Sequence, residues 1–221
     1  VVAVTGSNGK TTVTSLIGAL LTAGGQRPFV GGNIGTPLLD FFADPGAYGV
    51  VVLELSSFQL DLAGAFRPDV GLLLNISPDH IDRHGSLAAY TAAKMRMFAH
   101  QGPGDTAVLG ADDPVADAAR VKDGVRACRF GAGDNCAARI DGPLVHLRLD
   151  GREEDYDLTA TRLHSSVNRQ NAAASLLAVA LCGCSRETIA EGLHGYTPPP
   201  HRMAEAGMVD GVRFIDDSKA T

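Results

Sequence analysis

No stretch of this 221-residue sequence is strongly basic, and the chain carries a formal net charge of −6. Nucleic acid is held by clustered Lys and Arg, so it is excluded as the main partner. Small anionic ligands are not excluded, because a phosphate site needs only local positive potential. Long apolar runs are also missing. Each is broken by charge or glycine, which leaves no membrane span and no signal peptide. The four cysteines, Cys128, Cys136, Cys182 and Cys184, lack the paired spacing of a zinc site. They read as reduced thiols of a cytoplasmic protein. There is no internal repeat and no low-complexity tract. What remains is an ordinary globular composition, 45% hydrophobic and 20% charged, sufficient for one large domain or two small ones.

What is present gathers at the start. Val1-Val2-Ala3-Val4 is a β-branched apolar run ending in Thr5-Gly6-Ser7-Asn8-Gly9. Lys10-Thr11-Thr12 then opens an amphipathic stretch with Leu16, Ile17, Leu20 and Leu21. Strand, tight loop and helix N-terminus in that order make an anion cradle. Loop amides point at one spot, and the helix dipole adds partial positive charge there. Gly6 and Gly9 permit the positive φ values and close backbone approach that a phosphate demands. Lys10 reaches the terminal phosphates, and the Thr11 hydroxyl suits Mg2+. The usual Walker A pattern has a glycine where Val4 stands, so the loop is a shortened variant. The plain alternative is an ordinary strand-to-helix turn with an exposed lysine.

Residues 28–30 read as a short strand. Residues 31–37 look irregular, with Thr36 and Pro37 starting a helix through Phe42. Asn33 is either a left-handed turn residue or a ligand contact. Residues 48–55 and 70–75 are two further, nearly continuous apolar strands. Such strands belong to a sheet covered on both faces, mostly parallel with crossover helices, in an α/β three-layer sandwich of the P-loop kind. Carboxyl ends of parallel strands share one edge, where ligands bind. The glycine loop, Glu54 and the Asp79-His80 loop all follow strand ends, so they should converge. Glu54, after four apolar strand residues, is costly to bury unless paired or on a metal. Residues 56–60 read as a polar turn.

Ser86 caps a helix to residue 100 in which Lys94 shares a mostly apolar row with Tyr90 and Phe98. Periodicity alone makes it a lysine snorkelling its head to water. Residues 107–109 and 125–130 read as strands, with Asp112-Asp113-Pro114 capping a short helix between them. Residues 138–158 alternate around Asp141-Gly142 and Asp150-Gly151, the chemistry of hairpins in a small antiparallel appendage. Residues 168–182 form an Ala/Leu-rich helix with Asn168 and Asn171 on one face near its start, and residues 186–194 a shorter one. The stiff linker Tyr196-Thr197-Pro198-Pro199-Pro200 divides a domain at 1–195 from residues 196–221. Beyond it, residues 203–215 read as a hairpin turning at Asp210-Gly211. Mg2+ prefers hard oxygen ligands beside substrate phosphates, and Thr11 with Glu54 suits one such ion. The chemistry is then phosphoryl transfer, in which the protein positions groups and neutralises charge. An Asn-Lys-x-Asp guanine motif is absent.

Four motifs stand out, Thr5-Gly6-Ser7-Asn8-Gly9-Lys10-Thr11-Thr12, Gly32-Asn33-Ile34-Gly35, Leu53-Glu54-Leu55-Ser56-Ser57-Phe58-Gln59-Leu60 and Asp79-His80-Ile81-Asp82, with Ala93-Lys94, Pro200-His201-Arg202 and Asp217-Ser218-Lys219-Ala220-Thr221 beside them. On these residues the sequence resembles the Mur ligases of peptidoglycan synthesis. The first and fourth are shared with folylpolyglutamate synthase, whereas the second and third look specific to the D-glutamate-adding branch. The resemblance spans the chain as a central ATPase domain with the opening of a C-terminal domain.

It implies an ATP-dependent ligase that phosphorylates the carboxylate of UDP-N-acetylmuramoyl-L-alanine and lets the amine of D-glutamate attack the acyl phosphate. Lys10 would stabilise the γ-phosphoryl group, within the loop of Gly6, Ser7, Asn8, Gly9, Thr11 and Thr12. Thr11 and Glu54 would hold a first Mg2+. His80 and a carbamylated Lys94 would hold a second, which reverses the snorkelling reading of Lys94. Asn33, Ser56 and His80 would face the acylated substrate. Asn168, Asn171, Arg202, Asp217 and Lys219 would hold ATP, and Thr221 would lie near D-glutamate. The expectation is a cytoplasmic monomer acting on small molecules, with no nucleic acid and no membrane insertion.

In one departure, many relatives carry Gly-x-His-Asn where this chain has Ser165-Ser166-Val167-Asn168, so Val167 cannot make the contacts of that histidine. The chain starts without Met inside a strand, and the family's N-terminal UDP-binding domain and most of its C-terminal domain are absent. The expectation is a piece of a longer ligase that binds nucleotide poorly and does not turn over alone. Two alternatives stay open: another amino-acid ligase of this kind, and a nucleotide-binding module without catalysis.

Overall fold

Short β-branched runs alternate with helices through the first half of the chain and are laid down as parallel strands. The computed structural model describes residues 1–202 and 204–219. β1 (Val2–Thr5) leads through the glycine loop into α1 (Lys10–Ala23), followed by β2 (Pro28–Gly32), α2 (Leu38–Phe41), β3 (Val50–Glu54), α3 (Ser57–Asp61) and β4 (Val70–Leu73). Next come α4 (Ile81–His84), α5 (Leu87–Met95), β5 (Thr106–Gly110), α6 (Pro114–Asp117) and β6 (Arg126–Gly131). The remainder is β7 (Ala138–Asp141), β8 (Leu144–Leu149), β9 (Arg152–Asp157), α7 (Ser166–Leu181), α8 (Arg186–Gly195), β10 (Ala204–Val209) and β11 (Val212–Asp216).

Nine strands form one sheet in the order β2-β3-β1-β4-β5-β6-β7-β8-β9, parallel as far as β7 and antiparallel from there to β9. β1 is flanked by β3, with Val4 opposite Glu54, and by β4, with Val4 opposite Leu72. The strand order reverses about β1, and an open α/β sheet forms its crevice outside the carboxyl ends at such a point. Val2 and Val4 face a layer containing Leu16, Ile17 and Leu20 of α1 and Leu176 and Leu177 of α7. Ala3, Leu53 and Leu73 face the other, with Tyr90, Met97 and Phe98. Successive strand residues point to opposite faces, so a sheet buried on both sides needs unbroken apolar runs.

Local departures from the expected elements have physical causes. β2 continues through Gly31 and Gly32 because β3 offers pairing as far as Glu54. Both must be glycine: an added Cβ would lie 2.1 Å from the Thr36 carbonyl oxygen at Gly31, and 2.4 Å from that of Glu54 at Gly32. Thr36 is no cap. Its carbonyl accepts the Gly32 N–H, and Pro37 takes the N-cap position of α2 without a side-chain bond. Residues 56–60 are not a polar turn but the start of α3. A capping box begins it: Ser56 Oγ accepts the Gln59 N–H, and Gln59 Oε1 accepts the Ser56 N–H.

The antiparallel strands β7–β9 extend the main sheet, because Leu147, Leu149 and Tyr156 add to the core beneath α7. Asp150-Gly151, at φ 54° and 79°, forms the tight two-residue turn between β8 and β9. Asp210-Gly211, at φ 49° and 78°, does the same between β10 and β11, which form a separate hairpin. All four cysteines are free. Among the described residues, no helix is long and apolar enough to cross a membrane.

Candidate active site at the carboxyl edge of the sheet

The loop after β1 is latched to the end of β4 by short polar side chains. Ser7 N–H donates to the Asn75 carbonyl at 3.0 Å, and Asn8 N–H to Asn75 Oδ1 at 2.8 Å. Ser77 N–H donates to Ser7 Oγ at 2.9 Å. Gly9 adopts φ 83° as the N-cap of α1, and a Cβ there would lie 2.3 Å from Asn171 Oδ1. The left-handed conformation and the close approach both require glycine. Lys10 folds back over the loop, its Nζ donating to the carbonyls of Gly6 and Ser7 at 3.1 and 2.8 Å. Burial lowers its pKa, while the carboxylates of Glu54 and Asp79 pull the other way.

Glu54, 2% exposed, is satisfied at both oxygens. Thr11 Oγ1 donates to Oε2 at 2.9 Å, and Asn33 Nδ2 donates to Oε1 at 3.0 Å. Asn33 has a negative φ, which removes its reading as a left-handed turn residue. His80, by contrast, is left-handed at φ 50°, its N–H donating to Asp79 Oδ1 at 2.9 Å.

Lys94 overturns the snorkelling expectation. It is 1% exposed, its Nζ donates to the Gly6 carbonyl at 2.8 Å, and it lies 4.6 Å from the centre of the Tyr90 ring. Burial, with the charge of Lys10 adding to it, pulls its pKa down to about 7. The ring of Tyr90 supplies the cation–π face, and its hydroxyl lies 3.2 Å from Ser7 Oγ.

One cleft of about 360 Å3 is lined by Ser7, Asn8, Gly9, Lys10, Thr11, Asn33, Glu54, Ser56, His80, Lys94, Arg202 and Lys219. Gly6 contributes its carbonyl to the two lysines from beneath. Thr12 turns away and is buried at 4% exposure. Asn168 lies in a neighbouring cleft with Arg162, His164, Arg202 and Arg213, and Arg202 is common to both clefts. Asn171 borders a third with Asn75, Asp112 and Gln170. Asn171 Nδ2 donates to Asn168 Oδ1 at 3.3 Å, as their spacing on one helix face suggests. Arg202 donates to Thr11 Oγ1 at 3.2 Å and to the Lys219 carbonyl at 2.6 Å, which ties the hairpin segment to the glycine loop. Asp217 lies just past β11, partly buried. Thr221 lies outside the described residues.

Among the described residues, no group of three or more His, Cys, Asp or Glu forms a ready-made metal cage. The oxygen pair of Thr11 and Glu54, beside a phosphate-sized loop, is instead the kind of donor set Mg2+ takes when substrate phosphates complete its shell. The residues present fit that ion. Sequence reasoning passed over Asn75, Ser77, Ser57 and Tyr90 as site residues. Asn75 was the most legible of these, as the first polar residue after an apolar strand.

The profile of the Mur ligase middle domain matches residues 4–179. The chain is 46% identical over 224 residues to the UDP-N-acetylmuramoylalanine--D-glutamate ligase of Desulfotalea psychrophila, covering 100% of this chain and 48% of that protein. It is 43% identical to the protein of the same name from Pelotomaculum thermopropionicum, covering 100% of this chain and 49% of the other. Among solved structures, a UDP-N-acetylmuramoyl-L-alanyl-D-glutamate--2,6-diaminopimelate ligase superposes with TM-score 0.74 at 23% identity, over 95% of this chain and 48% of that one. MurF from Acinetobacter baumannii superposes with TM-score 0.71 at 21% identity, over 98% of this chain and 50% of that one. The chain thus spans about half the length of the relatives it matches. The two superpositions speak for the fold alone.

Proposed function

The chain belongs to the Mur ligase family, and from that premise we propose that it is the ATP-binding core of a ligase joining D-glutamate to UDP-N-acetylmuramoyl-L-alanine. The observation that carries the reading is the meeting of Lys10, the Thr11–Glu54 pair, His80 and Lys94 in one cleft. The names of relatives at 46% and 43% identity supply the substrates. Residues 1–195 are the nucleotide-binding domain, and residues 196–221 are a linker with the opening strands of the next.

In this reading the glycine loop receives the β- and γ-phosphates, and Lys10 exchanges its loop carbonyls for γ-phosphoryl oxygens. Gly6, Ser7, Asn8, Gly9 and Thr11 belong to that phosphate site, and Thr12, its side chain buried behind the loop, joins only through its backbone N–H at the start of α1. Asn168, Asn171, Arg202, Asp217 and Lys219 hold the remainder of the nucleotide, with Arg202 linking its two ends. Asn33, Ser56 and His80 face the acid substrate, and Thr221 approaches the amino acid. Mg2+ at Thr11 and Glu54, and a second ion at His80 and Lys94, would neutralise charge developing on the phosphoryl oxygens. A lysine with a pKa near 7 is largely an uncharged amine at slightly alkaline pH. That form reacts with CO2, losing a proton to give an anionic carbamate able to ligate a cation.

A carboxylate oxygen of the acid attacks the γ-phosphorus as the bond to ADP breaks. The amine nitrogen then attacks the acyl carbon, loses its proton, and phosphate departs. The protein's part is positioning and charge neutralisation. The test uses the full-length polypeptide: phosphate release should require both D-glutamate and UDP-N-acetylmuramoyl-L-alanine. Release stimulated instead by meso-diaminopimelate or folate would reassign the substrate. Nucleotide binding without phosphate release, equal in wild type and Glu54→Ala, would make the domain a nucleotide-binding module without catalysis.

A further inference from the structure

Beneath the cleft lies an imidazole that nothing above uses. His84, at the end of α4, has a side chain only 4% exposed. Its ring stacks on Phe58, centroids 5.5 Å apart at 11°, and meets the Tyr90 ring edge-on at 5.4 Å. These two ring contacts hold the imidazole in place. Its Nε2 lies 3.0 Å from Ser57 Oγ, and its Nδ1 lies 3.9 Å from Asp61 Oδ2. Ser57 is itself 2% exposed and lines the cleft beside Ser56 and His80.

A serine in the first turn of a helix commonly spends its hydroxyl on the backbone. Here Ser56 performs the capping, so the Ser57 hydroxyl is left for His84. The Asp61 carboxylate is too far from Nδ1 for a hydrogen bond, but its field favours the tautomer with the proton on Nδ1. In that tautomer Nε2 is a lone pair able to accept the Ser57 O–H across the 3.0 Å contact. A serine hydroxyl has one proton and two lone pairs. With the proton held by His84, only acceptor capacity is left for the cleft.

We propose that His84 is a positioning residue that fixes Ser57 as a hydrogen-bond acceptor, and that the Ser57 oxygen takes an N–H of the incoming amino acid's amine. This inference rests on the ligase reading. The amine must present its lone pair to the acyl carbon, and an acceptor that cannot offer a competing proton holds the N–H without protonating the nucleophile. No bond is made or broken at Ser57 or His84.

The experiment is steady-state kinetics of the full-length ligase with Ser57→Ala, His84→Leu, their double variant and His84→Gln. The amide oxygen of Gln can accept the Ser57 proton, whereas Leu leaves the hydroxyl free to turn its proton into the cleft. Loss of one such hydrogen bond should lower kcat/KM for the amino acid about tenfold in Ser57→Ala and in His84→Leu. KM for ATP should stay within about twofold, the double variant should be no worse than either single one, and His84→Gln should regain most of the loss. A packing role alone would not give that pattern. Unchanged amino-acid kcat/KM in Ser57→Ala, multiplicative losses in the double variant, or a His84→Gln as impaired as His84→Leu overturns the proposal while the ligase reading stands. A wild-type protein without ligation overturns both.

Discussion

At the residue scale, a buried charge persists only where partners meet it. Glu54 follows four apolar strand residues, and a carboxylate so placed must find partners; Thr11 and Asn33 are those partners. Replacing it by Gln keeps the shape and removes the charge. Glu54→Gln should therefore lower kcat of the full-length ligase by about 10²–10³ with little loss of stability, as read by phosphate release and thermal melting. Lys94 was misread by pattern, because periodicity tells which face a side chain occupies and not what lies over that face. The ring of Tyr90 and the loop carbonyl of Gly6 cover it. Its folded pKa of about 7 lies below the ordinary 10.5. Between these values the unfolded chain binds more protons, so the burden of burying the charge is full below about pH 7 and fades as pH rises to about 10.5. The stability of wild type relative to Lys94→Met should rise with pH across that window, measured by urea unfolding in CO2-free buffer. A flat difference would contradict the buried ammonium.

At the element scale, the glycine loop and the caps Ser86 and Asp113 could be read directly from residue type, because caps and tight loops are local. The capping box of Ser56 and Gln59 was equally local, yet its polar residues resembled a turn. The extension of β2 through two glycines could not be read, since only pairing with β3 holds them extended. Gly9 is the least replaceable position in the loop: Gly9→Ala combines φ 83° with a Cβ 2.3 Å from Asn171 Oδ1. It should weaken nucleotide binding at least tenfold by isothermal titration. Ser86 Oγ accepts the Ala89 N–H at 3.1 Å and starts the helix that carries Tyr90 and Lys94. Its loss in Ser86→Ala should cost about 1 kcal/mol and lower Tm by about 2–4 °C.

At the scale of the whole molecule, the parallel sheet with both faces covered was legible because its strands are apolar without alternation. Convergence of the glycine loop, Glu54 and His80 followed from the rule that parallel strands end on one edge. Left unread were the joining of β7–β9 to the main sheet and the tie from Arg202 to Thr11, which depend on contacts distant in sequence. We propose that this edge transfers a phosphoryl group from ATP to a carboxylate before any amine arrives. Positional isotope exchange in ATP labelled at the β,γ-bridge oxygen, run on the full-length ligase without amino acid, tests it directly. Scrambling of the label that requires UDP-N-acetylmuramoyl-L-alanine and disappears in Glu54→Gln is the predicted result. Scrambling without the acid substrate, or its persistence in Glu54→Gln, would contradict the account.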